Sequence, residues 1–173
     1  GARWPEGTID LMAEMLTEGT KQHRGTAFAA AMQGHGGELK FSVLADALIA
    51  SGQTLNHQLK PYLGLVSEAL TSPEFGSKAA NSLQKRWSAH LKNLSTRPTS
   101  IGARVLNRVM YGANHPYGSP GPTMQTIHKI NTRHMRSAQQ AALSLAGSTL
   151  IVVGDVDSAT LIETVRAVFG KQL

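Results

Sequence analysis

Apolar side chains recur every third or fourth residue through most of this chain, and one stretch near the start breaks that rhythm for a strict alternation. The two periods belong to different backbones: three-to-four places apolar groups on one side of a helix, and two places them on one face of a strand. Ile9–Leu16 is apolar on most sides, with Thr8 as a cap and Gly19 as a stop, and predicts a buried helix. A short helix over Thr26–Gln33 follows, with Phe28, Ala29 and Met32 inward and Gly34, Gly36 and Gly37 ending it. From Glu38 to Ala45 the alternation sets Leu39, Phe41, Val43 and Ala45 against Glu38, Lys40 and Ser42, which predicts a half-exposed strand. Ala47–Thr54 reads as a second strand, weakened by Gly52.

Helical spacing then returns. Asn56 caps a predicted helix through Leu70, and Ser77–Leu94 makes another with Ala80, Leu83, Trp87, Leu91 and Leu94 on one face. Pro98 interrupts, Ile101–Met110 is helical, and residues 112–123 hold three Gly and three Pro, a turn-rich connection. Asn131 or Thr132 starts a helix to about Leu145, with Gly147 as a stop. Thr149–Val153 reads as a buried strand, and Ser158–Phe169 as the last helix. The pattern predicts one α+β domain over residues 1–173, a mostly antiparallel sheet with helices packed on one face. There is no internal repeat, low-complexity tract or linker.

The chain has no cysteine, which excludes disulfides, thiolate metal sites and a cysteine nucleophile. No apolar run reaches the roughly 18–20 residues of a membrane span, and Gly1–Glu6 lacks a signal-peptide pattern. The net charge of +6 is unevenly distributed: residues 75–154 carry ten basic side chains and no acidic one. Lys78, Lys85 and Lys92 are seven apart there, one face of a helix, and read first as a solvated surface. A basic module binding an anionic partner such as nucleic acid through residues 75–154 is the alternative reading. Against single-strand binding, Phe75, Trp87, Tyr111 and Tyr117 are the stretch's only aromatic residues and lie far apart.

Seven histidines occur, none three or four residues from another, so helical zinc spacing is missing. A Ser nucleophile elbow, a phosphate loop and a dinucleotide-binding glycine pattern are also absent, and Gly34–Gly37 follows a helix instead of opening one. Asp10 and Glu14 lie four apart, so their carboxylates share a helix face, where they read as polar groups at the rim of a buried helix. A metal there would need further ligands, and nothing nearby in sequence supplies them.

Several short strings, in order, resemble the pitrilysin/insulinase family of zinc metallopeptidases. They are Gly7–Thr20 with its Met15-Leu16 and Gly19-Thr20, Arg24, Gly34–Gly37, Ser72–Phe75, His115–Gly118, Val152–Val156, and Phe169-Gly170. Active members carry His-x-x-Glu-His on the first helix, where two histidines hold zinc and the Glu polarises water. In that register this chain has Asp10, Ala13 and Glu14, so both imidazoles and the base are replaced. The family's third ligand, a Glu on a later helix near Ser77–Leu94, has no counterpart, since no acid lies between Glu74 and Asp155. Loss of the base alone removes roughly 10²–10⁴-fold in rate.

The resemblance therefore implies the non-catalytic half of a two-half peptidase. It implies a mitochondrial processing peptidase-like α+β unit lacking its first strands and forming a fragment of a longer protein. No catalytic, cofactor-binding or metal residue is expected in this chain, with Asp10, Ala13 and Glu14 as degenerate motif positions. Zinc is expected in a partner half, fused or separate, with a peptide as substrate and neither nucleic acid nor a membrane span involved. A periplasmic or secreted bacterial location follows from the resemblance alone. The family's substrate-binding Arg and Tyr fall after Leu173, so Tyr117 is expected only to close the turn at 115–118.

Overall fold

The computed structural model describes residues 3–112, 115–119, 121–143 and 147–170. It contains helices α1 (Thr8–Met15) and α2 (Thr26–Gly34), strands β1 (Glu38–Val43) and β2 (Leu48–Gln53), then α3 (Leu59–Thr71), α4 (Ser77–Leu94), α5 (Pro98–Tyr111), α6 (Met124–Lys129), α7 (Thr132–Ala142) and α8 (Ser158–Phe169). The helix-rich α+β class read from the periodicities holds, with a small antiparallel sheet. Phe41 pairs with Ala50 in the β1–β2 register, and the predicted alternation is kept, Leu39, Phe41 and Val43 being half-buried while Glu38, Lys40 and Ser42 are exposed. Gly52 has a positive reason to be in β2: a Cβ there would collide with the Tyr62 hydroxyl and the Glu38 carbonyl. That hydroxyl donates to Glu38 O at 2.9 Å, locking α3 over the hairpin.

The core falls into two clusters. One joins Leu11, Met12, Met15 and Leu16 of the first helical segment to Leu83 of α4, Ile127 of α6 and Met135 of α7. The other gathers Phe28, Met32, Tyr62, Leu63 and Val66 around Phe169 of α8. Phe41 and Leu70 touch both. α1 is central because nearly its whole circumference is apolar; Leu11, Met12, Ala13, Met15 and Leu16 are each buried.

Two strings from the start and middle of the chain meet side by side. Lys21 N donates to Ser72 O and Glu74 N to Gly19 O, both at 2.9 Å, around a bridge between Thr20 and Pro73. Gly19 allows this crossing, since at φ 141° a Cβ would press on Gly25 N at 2.5 Å. Phe75 follows in the left-handed region at φ 48°, buried, with the Arg136 guanidinium 5.4 Å from its ring centroid.

Several expectations need correction. Thr8 does not cap α1: the cap position is Gly7 at φ 88°, and Thr8 Oγ1 instead donates back to Pro5 O at 2.6 Å. Asn56 does not cap α3 but begins a 3₁₀ turn, Asn56–Gln58, and its amide donates to Asp155 O. Pro98 opens α5, because a first-turn proline forfeits no intrahelical bond and its φ suits a helix. The periodicities do not predict α6; the reciprocal cap between Thr123 and Thr126 starts it directly after the predicted connection at 112–123. α7 starts on Asn131, which accepts from His134 N at 3.0 Å, and ends at Ala142, short of the predicted Leu145, which lies outside the described residues.

Thr149–Val153 is not a buried strand. Leu150, Ile151 and Val153 are 52%, 80% and 94% exposed, and the segment pairs with no strand among the described residues. Apolar and β-branched composition predicts a strand only where a neighbouring backbone supplies the ladder, and none lies alongside here.

Candidate functional site

Glu14 of α1 is met by side chains of another helix. α4 lies across α1, and Trp87 Nε1 donates to Glu14 Oε1 at 2.8 Å. Arg86, beside it, places Nη2 3.9 Å from Glu14 Oε2 and 2.7 Å from Glu18 Oε1. Glu14 is thus held by an indole and a cation, where a second metal ligand would have to be free. Ala13 is 1% exposed and packs in the core, offering no base. Asp10 is half-buried, and desolvation pushes its carboxyl above the usual range, only partly countered by its own backbone N–H.

The donor set does not fit zinc. Asp10 and Glu14 supply carboxylates, but α4 brings Arg86 and Trp87 onto Glu14, and a guanidinium repels a dication. Among the described residues no group of three or more His, Asp or Glu converges on a point. Sequence spacing could not reveal Trp87 and Arg86 as the partners of Glu14, because those contacts cross 73 and 72 positions of chain.

Among the described residues the histidines make separate contacts and join no group of three metal-ligating side chains. His23 Nδ1 meets Glu68 Oε2 at 2.9 Å, and the same oxygen accepts from Thr20 Oγ1 at 2.9 Å, tying the end of the first helical segment to α3. His35 Nδ1 meets Gln58 Oε1 at 2.8 Å, and His90 stands edge-on to Trp87 with centroids 5.9 Å apart. His115 stacks on Tyr111 at 5.5 Å and accepts from Tyr117 N at 3.2 Å through Nδ1. His115–Gly118 does form a turn, Gly118 N donating to His115 O at 2.9 Å. Tyr117 also does something the sequence did not disclose: its hydroxyl reaches Asp46 Oδ2 in the hairpin turn at 3.3 Å, and that carboxylate raises the phenol's pKa. Lys78, Lys85 and Lys92 are all exposed, in accord with a solvated α4 face.

A helix-lined unit with a buried first helix and a small antiparallel sheet has the fold of the pitrilysin-type peptidases. Among solved structures, a peptidase M16 inactive domain from Pseudomonas fluorescens superposes with TM-score 0.70 at 23% identity, over 77% of this chain and 33% of that one. A protease from Helicobacter pylori gives TM-score 0.86 at 17% identity, over 97% of this chain and 41% of that one. The periplasmic protease PqqL from Escherichia coli gives 0.82 at 16% identity, over 96% of this chain and 19% of that one. The chain thus spans less than half the length of each of these relatives in fold. No family model and no curated protein matches it by sequence.

Proposed function

We propose that this chain is part of the non-catalytic half of a pitrilysin-type zinc peptidase, and that it encloses peptide substrate against a partner half carrying His-x-x-Glu-His. The observation that carries the reading is the pairing of Glu14 with Trp87 and Arg86 on a fold shared with such peptidases. A carboxylate that accepts from an indole and faces a guanidinium is a poor ligand for a dication. Asp10, Ala13 and Glu14 are then inert positions of a lost motif, and the chemistry falls to zinc held by the partner. This half's contribution is confinement: its walls exclude water and hold an extended peptide in reach of the metal, which removes the entropic cost of encounter. A periplasmic or secreted location fits the same reading, residues 1–173 forming one α+β unit of a longer assembly.

Zinc content and hydrolysis of a fluorogenic peptide test it together. The purified chain is expected to hold well under one zinc per molecule and to cleave nothing alone. Mixing or fusion with a His-x-x-Glu-His half is expected to raise that half's turnover. Stoichiometric zinc with activity in the isolated chain would overturn the proposal.

A further inference from the structure

Between α4 and α6 lies a cleft of about 390 Å³, lined by Asn81, Gln84, Lys85, Ser88 and His128. The four α4 residues stand three and four positions apart and therefore share one helix face. Gln84 fixes the opposite wall: its Nε2 donates to Ile127 O at 3.1 Å and to Ile130 O, the two carbonyls that bracket the turn carrying His128. Ser88 Oγ is sealed from solvent and has no hydrogen-bond partner, an uncommon state for a hydroxyl that can both donate and accept. Lys85 makes no ion pair among the described residues, and the sequence places no carboxylate between Glu74 and Asp155. An ammonium, an imidazole and a carboxamide thus line one space, with an unpaired hydroxyl beneath them and no carboxylate among the lining residues.

We propose that this cleft is an oxyanion site, taking the phosphate or carboxylate group of a small ligand. Lys85 supplies the charge, and Asn81 and His128 supply N–H donors. The Lys85 position is one of the seven-residue lysine series, so two members of that series serve solubility and the third faces the cleft. The proposal is independent of the peptidase reading.

The test is an NMR titration of the whole 173-residue chain at fixed pH and ionic strength, with inorganic phosphate in one arm and sodium acetate in the other. The His128 ring signal, assigned with His128→Gln, is expected to shift saturably while the other six histidines do not. Lys85→Gln is expected to weaken the apparent affinity at least about tenfold, and Asn81→Ala to weaken it further from wild type than Lys92→Gln does. Saturation by phosphate alone assigns a phosphorylated ligand; saturation by acetate, alone or as well, assigns a carboxylate. A linear response, an equal response of all histidines, or an unchanged affinity in a folded Lys85→Gln variant would each overturn it.

Discussion

Trp87 contributes to stability through one polar atom as well as through its rings. Replacing it with Phe keeps an aromatic body against α1 but removes the indole N–H that satisfies Glu14. The expected loss is about 1 kcal/mol, below the range for a bond to a buried charge because Glu14 is partly solvated, and urea denaturation reads it directly. Asp10 behaves oppositely. Its folded-state pKa lies above the ordinary aspartate value of 3.8 because burial disfavours the anion. The folded state therefore holds the proton more tightly, and stability falls as pH rises from the unfolded pKa through the folded one. Asp10→Asn is expected to be more stable than wild type at pH 7, with the difference vanishing below about pH 3.8, where both side chains are neutral. Thermal melts across pH 3–8 check the sign. That Asp10 and Glu14 share a face was legible from their spacing; that one is desolvated and the other claimed by α4 was not, because burial and cross-helix contact depend on which helix lies opposite.

Helix starts divide by whether the capping group is local. Asn131 and Asp157 cap α7 and α8 through bonds three residues on, to His134 N at 3.0 Å and Thr160 N at 2.9 Å. Asn131→Ala is expected to cost about 1 kcal/mol, measured by chemical denaturation, since the first-turn N–H loses its acceptor. At α8 the bonds from Thr160 hold the Asp157 carboxyl below its ordinary pKa. That support is present above the unfolded pKa and is lost as pH falls through the folded one. Thr8 and Asn56 have the side chains of caps and do other work, because Pro5 O and Asp155 O stand within their reach. Residue type narrows the options at such positions, and the folded surroundings choose among them. The strand pair shows the same division: period two located β1, whereas Thr149–Val153, with stronger β composition, has no strand beside it among the described residues to complete a ladder.

Across the whole molecule, stability is concentrated in the buried faces of α1, α3, α4, α6 and α7, and α5 stands apart. α5 has no buried residue, and Val105, Val109 and Met110 are 56%, 78% and 64% exposed. Leu83, fully buried, is expected to cost about 2–5 kcal/mol on substitution by Ala, whereas Val109→Ala is expected to change stability by less than about 0.5 kcal/mol. Parallel urea titrations of the two variants, with hydrogen exchange fastest in α5, test that partition. The sequence by itself determined the α+β class, the hairpin, most helix bounds, and the absence of imidazoles and of a base from the first helix, because these follow from periodicity and residue identity along a local stretch. The tertiary structure alone decided that Arg86 and Trp87 occupy Glu14, that Tyr117 reaches Asp46, and that Lys85, Ser88 and His128 line one cleft. Each of these joins residues from separate elements, and such distances are set by how apolar faces pack together, which no spacing within a single element encodes.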